Sequence, residues 1–306
     1  MRKDELIPGI DITKLSELKV RYFIFKILTW FLILLTGWWL IATTNLFLML
    51  LGYFLVGAMF VHGVELQHQC LHNTGLKKKK LNRILGFILG LPMFVSFSDY
   101  KYHHIRHHRL LGTPENKEFF NYGGSDKIMV GFLYKILMIG HYIQTFKSIL
   151  DSCTNKIKER YPENVGRKVQ KEYLLFLAIL FGAHAISIIF NNSLLIHYWF
   201  FPLLFAVPLH ALVELPEHEG CITHNPDVLV NTRTIKSNKF VTWFTNSNNY
   251  HVEHHLLPSV PMENLEEVHN LIQGKEQYLN ITYREFYYEY FKELIRNSFE
   301  IKSERK

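Results

Sequence analysis

The segment Tyr22–Thr44, YFIFKILTWFLILLTGWWLIATT, carries one charged side chain, Lys26. A second apolar run, Leu46–Val64 (LFLMLLGYFLVGAMFVHGV), follows after a short uncharged link. A helix needs about 20 apolar residues to cross the hydrocarbon of a bilayer. The two runs therefore predict a transmembrane hairpin. Lys26 lies near the start of the first span, where a long side chain is expected to extend to the interface.

A second hairpin is predicted further along the chain, from Tyr173–Phe190 and Leu194–Val213, joined through the uncharged NNS. The sequence thus predicts an all-α integral membrane protein with four spans, and a single domain over residues 1–306. The remaining segments are expected to form a helical cap on one membrane face. The predicted spans are 22–44, 46–64, 173–190 and 194–213, and the predicted cap is 65–172 and 214–306.

Two shorter apolar stretches do not fit a full span. Ile84–Phe97 contains Gly86, Gly90 and Pro92, and its length suits an interfacial or re-entrant segment. Met129–Phe146 mixes apolar residues with Lys135 and His141 and predicts an amphipathic helix on the membrane surface. A buried position in the protein core is the alternative for both stretches.

The basic residues are segregated along the chain. The formal net charge is +7, with 48% apolar and 20% charged residues, and both hairpin links lack Lys and Arg. The positive-inside rule places the N-terminus, the cap and the C-terminus in the cytosol. The expected location is the inner membrane of a bacterium or the endoplasmic reticulum of a eukaryote. Basic residues next to spans, without a nucleic-acid motif, argue against nucleic acid as a partner.

Histidines are concentrated in three bursts: HQCLH, HHIRHH and HVEHH. On helices, spacings of three and four residues place side chains on one face. A fourth element, LVELPEHEG, offers Glu214 and His218 at the same spacing. Together they supply nine imidazoles that can converge on one membrane face: His68, His72, His104, His107, His108, His218, His251, His254 and His255.

A metal site is the interpretation that best explains this pattern. Neutral imidazole suits iron, zinc, copper and nickel, and nine ligands exceed what one tetrahedral zinc uses. Two metals with four or five ligands each are expected. His103 shares a burst but fits the HxxHH register less well than His104. The isolated histidines are interpreted as surface or core residues: His62, His141, His184, His197, His210, His224 and His269. Of these, His210 lies inside a span, where an ionisable group is a functional candidate.

HQCLH, HIRHH and HVEHH resemble the three histidine boxes of the membrane fatty acid desaturase superfamily, which also contains hydroxylases and ketolases. The resemblance extends over about Gly63 to His269 and includes the segments HIRHHRLLGTPEN and NSNNYHVEHHLLPSVP. It implies a membrane stem with a cytosolic cap, and two iron ions that activate O2. It also implies that the eight box histidines and His218 are the metal ligands.

Glu214 departs from the pattern, because an Asn often stands there in acyl-CoA desaturases. It is left open as a ligand, as a group that orients a ligand, or as a structural acid. Each histidine that binds metal through one ring nitrogen has a second ring nitrogen, whose N–H needs a hydrogen-bond acceptor. The candidate acceptors are Glu65, Asp99, Glu214, Glu217 and Glu253.

The expected activity is O2-dependent desaturation of a fatty acyl chain carried on a lipid, on CoA or on a carrier protein. A di-iron lipid hydroxylase or carotenoid ketolase is the alternative with the same ligands. A non-catalytic metal-binding membrane transporter is the alternative of another class. The sequence has no HPGG haem motif and no cysteine cluster for an iron–sulfur centre. A separate electron donor, of ferredoxin or cytochrome b5 type, is therefore expected, docking on the basic run Lys77–Lys80.

Overall fold

The computed structural model describes residues 12–120, 128–190 and 193–304, except the side chains at 128–129 and 297–304. The first 11 residues, which contain part of the N-terminus predicted to be cytosolic, lie outside the described residues. The α-helices of the described part are α1 Ile12–Leu15, α2 Val20–Ile41, α3 Leu46–Leu71, α4 Lys79–Gly90, α5 Phe97–Leu110, α6 Ile128–Ile136, α7 Ile139–Cys153, α8 Glu163–Ile189, α9 Phe201–Glu214, α10 Val228–Asn231, α11 Lys239–Phe244, α12 His251–Leu256, α13 Leu265–Ile272 and α14 Tyr283–Glu304.

Short elements complete the described secondary structure. Strands β1 Thr234–Ile235 and β2 Leu279–Asn280 form a parallel pair. The 3₁₀ turns are Leu91–Met93, Lys156–Arg160, Leu215–Glu217 and Met262–Asn264, and a π-helical turn, Ile196–Phe200, precedes α9.

Four helical segments are long and apolar enough to span a membrane: Ile12–Ile41, Leu46–Leu71, Glu163–Ile189 and Ile196–Glu217. This confirms the predicted all-α membrane fold with four spans. The helices are longer than the apolar runs. For example, α3 continues past Val64 to Leu71, because the polar residues of its last two turns are buried against protein. The single domain over 1–306 and its division into stem and cap stay predictions.

Helix α3 is the central helix, and it packs against α2, α4 and α9. Glycines allow the close approach of its neighbours. A Cβ at Gly52 would lie 2.7 Å from the carbonyl oxygen of Gly37 on α2. A Cβ at Gly57 would lie 2.6 Å from the carbonyl oxygen of Pro202 on α9. Small residues at such crossings let helix backbones pack closely within membranes. The first histidine burst is thus part of the most enclosed helix of the bundle.

Helices α4 and α5 form a sharply bent pair, with 99° between their axes. Phe94 adopts the left-handed conformation at the bend (φ 59°), and the Ser96 side chain caps the start of α5. The predicted segment Ile84–Phe97 is therefore not one helix but contains the end of α4 and this bend. A broken span or re-entrant segment has this shape.

The predicted amphipathic helix Met129–Phe146 is wrong in one respect, since it is two helices, α6 and α7. The chain breaks at Leu137 and Met138, and Met138 adopts a left-handed conformation with φ 48°. Its side chain is fully buried, so tertiary packing holds a backbone conformation that an apolar sequence pattern does not reveal.

The expectation for Lys26 is also wrong. Its amine does not extend to the interface but lies buried, donating to Asn246 at 2.6 Å and to Glu263 at 3.1 Å. Glu263 in turn accepts from Gln69 on α3. A charge on the first span is therefore neutralised by an acid from the C-terminal third of the chain, which ties these regions together.

Candidate metal centre

Three helices and one turn bring the predicted ligands together. Helix α3 carries His68 and ends at Leu71, and His72 is its C-cap residue. Helix α5 presents the second burst and α12 the third. His218 follows the 3₁₀ turn Leu215–Glu217. The predicted spacing of Glu214 and His218 assumed one continuous α-helix, but the α-helix ends at Glu214 and a 3₁₀ turn separates the two residues. Pro216 lies within this turn, which follows directly on the end of α9.

Helix α5 is fixed in place at its first turn. The Ser96 hydroxyl accepts from the backbone amide of Asp99. The Asp99 carboxylate accepts from Tyr161 at 2.7 Å and from Tyr173 at 2.6 Å, and it lies 3.4 Å from His103. Asp99 therefore anchors α5 to α8 and is not an acceptor for a predicted ligand.

Five of the nine predicted ligands form one group, which we term the five-histidine set: His68, His72, His104, His108 and His254. The Nε2 atom of His104 lies 2.8 Å from that of His68, 2.7 Å from that of His72 and 2.9 Å from that of His108. The Nε2 atoms of His108 and His254 are 3.0 Å apart. All five ligand atoms lie within 4.8 Å of one another.

The other four form the four-histidine set: His107, His218, His251 and His255. The Nε2 atom of His107 lies 3.2 Å from that of His218 and 3.3 Å from that of His255. The Nε2 atom of His251 is 3.1 Å from that of His218 and 3.0 Å from that of His255. All nine predicted histidines are thus brought into two groups, and His103 belongs to neither.

Hydrogen bonding alone does not explain these contacts. A neutral imidazole has one N–H, and His104 Nε2 meets three other ring nitrogens, so at most one contact of that atom can use its proton. An imidazole nitrogen lies about 2.1 Å from zinc in proteins, so neighbouring ligands of one metal of that size are roughly 3 to 3.5 Å apart. The observed separations are close to that range. Each set fits a metal ion surrounded by imidazole nitrogens.

Asparagines orient three rings of the four-histidine set. His107 Nδ1 donates to the Asn116 side chain at 3.0 Å, and His251 Nδ1 donates to the Asn248 side chain at 3.3 Å. His218 Nδ1 donates to the backbone oxygen of Asn231 at 2.9 Å. With the proton on Nδ1, the Nε2 lone pair faces the centre of the set.

Burial keeps the third burst neutral. Removal from water, reinforced by neighbouring histidines, holds the pKa of His251, His254 and His255 well below the usual value of 6.5. A neutral imidazole is the form that binds metal. The site therefore favours the ligand form of these rings at neutral pH.

Of the predicted carboxylate acceptors, Glu217 lies against a predicted ligand, whereas Glu253 and Glu214 have other neighbours. Glu253 accepts from Thr234 and from His269, both at 2.6 Å. Glu217 accepts from Asn248, and its second oxygen is 3.3 Å from His251 Nε2. Glu214 groups with Glu65 and His210 and not with either histidine set, although it borders the small cavity at the histidines.

Sequence reasoning missed Asn116, Asn231 and Asn248 as orienting residues. Asn248 could have been found from the asparagine-rich segment NSNNY, which directly precedes the third burst. Asn116 and Asn231 gave no comparable signal, because their approach to the rings depends on the tertiary fold. His210, flagged because an ionisable group lies within a span, is fully buried beside Glu214.

Two large cavities bear on the site's possible substrate, and one of them borders it. We term the first the stem cavity, about 460 Å³ and almost wholly apolar, which Met59, Val213 and Phe244 border together with Tyr283 and Arg284. The second, the polar cavity, is about 630 Å³. It reaches the site directly, since His218 and Glu214 are part of its wall along with Lys117 and Glu118. The centre is thus accessible to a polar group. The stem cavity is lined by none of the nine histidines, and Val213 in its wall precedes Glu214 in the chain.

Comparison with known proteins gives a consistent family assignment. The model of the family described as fatty acid desaturase matches residues 36–287. The chain is 28% identical to a dihydrorhizobitoxine desaturase of Bradyrhizobium elkanii, over 74% of this chain and 66% of that protein. It is 22% identical to an sn-1 oleoyl-lipid 12-desaturase of Anabaena variabilis, over 78% and 72%. It is 25% identical to an acyl-lipid (9-3)-desaturase of Physcomitrium patens, over 66% and 43%.

The chain thus spans just under two thirds of the length of the first of these relatives and less than half of the length of the Physcomitrium patens protein. The family model covers most of this chain, including all three histidine boxes. It confirms the resemblance drawn from HQCLH, HIRHH and HVEHH. The chain belongs to the fatty acid desaturase family, which is a family of oxidoreductases.

Proposed function

We propose that the protein is an O2-dependent di-iron desaturase that introduces a double bond into the alkyl chain of a fatty acyl substrate. The observation that carries the proposal is the division of nine buried or half-buried imidazoles into two groups, each with its Nε2 atoms facing a common centre. Two of the similar proteins are named as desaturases of acyl lipids. The acyl group is expected on a lipid, on CoA or on a carrier protein.

The five-histidine set and the four-histidine set would each hold one iron ion. A bound iron pair would supply, with O2, the oxidising power for an unactivated C–H bond that no side chain provides. The protein's own contribution is orientation and exclusion of water. Asn116 and Asn248 fix two of the ring tautomers, and burial of α12 keeps its histidines neutral.

The stem cavity offers a place for the alkyl chain. Its wall includes Met59 on α3 and Val213 on α9, next in sequence to Glu214 at the histidines. An alkyl chain in this space would exchange water for apolar side chains, which favours binding by roughly 0.8 kcal/mol per buried CH₂. The polar cavity beside His218 has room for a polar part of the substrate.

Electrons would come from a separate protein of ferredoxin or cytochrome b5 type. The four lysines Lys77–Lys80 are exposed at the start of α4, close in sequence to His72. An acidic donor docking there would face the cytosol, together with the N- and C-termini. Neutralising these lysines should slow electron delivery at low salt and less at high salt. An unchanged rate at low salt contradicts the docking site.

The hydroxylase or ketolase alternative uses the same histidines and is separated only by its product. The transporter alternative has weaker support. Among the described histidines of the spans, His62 contacts the backbone oxygen of Phe244, and His197 contacts Tyr53. These two contacts are made within the protein, and neither histidine belongs to a group of potential metal ligands among the described residues.

The test is product analysis with a matched pair of variants. Protein in vesicles would be given O2, a reduced ferredoxin and a mixture of acyl lipids and acyl-CoA. We expect a product lighter by two hydrogens from wild type and from His103→Ala, and none from His107→Ala. His103 is the suitable control because it lies on the same helix outside both sets. A product heavier by oxygen would favour the hydroxylase, and metal uptake without O2 consumption would favour the transporter.

A further inference from the structure

A third group of potential ligands lies where α3 and α9 pack. It consists of Glu65, His210 and Glu214, which are 1%, 0% and 8% exposed. Their potential ligand atoms all lie within 4.8 Å of one another, and His210 Nε2 is 3.3 Å from a carboxylate oxygen of Glu214. The proposed desaturation assigns no role to Glu65 or His210.

Two members of this group have polar atoms without hydrogen-bond partners among the described residues. Neither carboxylate oxygen of Glu65 accepts a hydrogen bond, and neither ring nitrogen of His210 makes one. The 3.3 Å approach between His210 and Glu214 is not oriented as a hydrogen bond. The amide nitrogen of Asn248 donates one hydrogen to Glu217 at 2.6 Å, and its second hydrogen interacts with the Glu65 carboxylate without reaching regular hydrogen-bond geometry.

Two carboxylates this deep in a helix bundle need positive charge or protons between them. A buried carboxylate without donors is strongly destabilising, and a second carboxylate nearby adds repulsion. One divalent cation would balance both charges and use the His210 nitrogen as well. Ligands on opposite sides of a metal at about 2.1–2.2 Å lie roughly 4.2–4.4 Å apart, so the observed spread requires only small side-chain shifts.

The chemistry of the donors differs from that of the histidine sets. Carboxylate oxygens suit Mn²⁺ and related hard cations, whereas a shell of imidazoles suits zinc, copper and iron. Glu214 also borders the small cavity reached by His68 and His107. A cation bound here would therefore lie beside the histidine sets and would be bound through a different donor set.

We propose that Glu65, His210 and Glu214 form a separate binding site for one divalent metal ion of the Mn²⁺ class. This site is independent of the proposed desaturation, because its ligands do not overlap with either histidine set. Three protein ligands leave coordination positions for water or for an oxygen of a substrate.

The experiment uses the full chain in detergent. Metal-free protein would first receive about two equivalents of Zn²⁺, which prefers the imidazole-rich sets. Mn²⁺ would then be titrated and its bound fraction followed by electron paramagnetic resonance. We expect about one tightly bound Mn²⁺ per chain, with hyperfine coupling to one imidazole nitrogen. Glu65→Gln and His210→Gln should each lower Mn²⁺ affinity by at least about 10-fold, since even groups that only orient a ligand contribute that much.

Two controls match these variants. His62→Gln alters another fully buried histidine of the same bundle, and Glu118→Gln removes a half-exposed acid that borders the same small cavity. Both should bind Mn²⁺ as wild type does. Absence of tight Mn²⁺ binding in wild type, absence of nitrogen coupling, or unchanged affinity in both test variants would overturn the proposal. The zinc content reports separately on the histidine sets and on folding, so a failure there is distinguishable.

Discussion

The two histidine sets are positioned in different ways. In the five-histidine set, rings pack edge to face. The ring centroids of His68 and His104 are 4.3 Å apart at 90°, and those of His72 and His254 are 4.7 Å apart at 83°. The Nδ1 atoms of His68 and His254 are buried without a hydrogen-bond partner among the described residues.

In the four-histidine set, by contrast, three of four rings are held by hydrogen bonds to Asn116, Asn231 and Asn248. Edge-to-face packing occurs in both sets, since the rings of His107 and His218 are also 4.9 Å apart at 90°. The difference lies in the hydrogen bonds from asparagines, which hold the four-histidine set. The difference implies that the two sites can be weakened separately.

The largest expected effect is that of metal removal. A ligand at 100 times its dissociation constant stabilises the folded state by about 2.7 kcal/mol per site. Chelation should lower the unfolding temperature of wild type and of His103→Ala by the same amount. His107→Ala should show about half of that shift, measured by thermal unfolding in detergent. Complete loss of the shift in His107→Ala would show that the sets are not independent.

Removing one orienting asparagine should affect only the four-histidine set. Asn116→Ala leaves His107 Nδ1 without its acceptor, and such losses typically reduce metal affinity by about 10- to 100-fold. The iron that each variant retains during dialysis against a chelator would measure this loss of metal affinity. Asn116→Asp keeps an acceptor oxygen and serves as the control. Equal loss from both sets would contradict the distinction drawn between them.

A change at the N-terminal end of α5, the helix that contributes histidines to both sets, should lower the unfolding free energy of the protein. Glu172 accepts from Ser96 at 2.8 Å and from Ser98 at 2.6 and 2.8 Å, and Arg83 donates to it at 3.1 Å. Glu172→Gln converts part of this buried acceptor to a donor and should cost about 1–3 kcal/mol of unfolding free energy. Denaturant or thermal unfolding would measure the cost. Glu163→Gln, at an exposed ion pair with Arg167 on the same helix, should have no measurable effect.

The smallest expected effect is that of Tyr161→Phe. It removes one of two tyrosine hydroxyls that donate to Asp99, while Tyr173 keeps the other. We expect a loss of about 1 kcal/mol in unfolding free energy and an unchanged iron content. A large loss of iron would mean that the orientation of α5 depends on this single contact.

The lengths of the apolar runs predicted the four spans. Backbone N–H and C=O groups in lipid must be hydrogen-bonded, and an apolar segment long enough to cross the bilayer satisfies them by forming a helix. Helical spacing singled out the nine histidines that the structure groups, and His104, not His103, belongs to a group. That these histidines bind metal stays a prediction. The sequence did not predict that α3 continues through the first burst or that Lys26 is paired with Glu263. Both depend on residues distant in sequence that bury polar side chains.

The same reason explains why two of the candidate carboxylate acceptors have other partners. Glu253 and Asp99 were plausible acceptors by proximity in sequence, but they serve Thr234, His269 and two tyrosines. Sequence spacing gives the face of a helix and not its tertiary partner. Which side chain meets an imidazole nitrogen depends on how α5, α12 and the segments between them pack.

The central claim is that two separate histidine sets each bind one iron. The most direct measurement is the iron content of purified wild type beside His104→Ala and His107→Ala, which lie three residues apart on α5 but belong to different sets. We expect about two irons per chain in wild type and about one in each variant. Zinc or no iron in freshly reconstituted wild type, or loss of both irons from both variants while the fold persists, would contradict the claim.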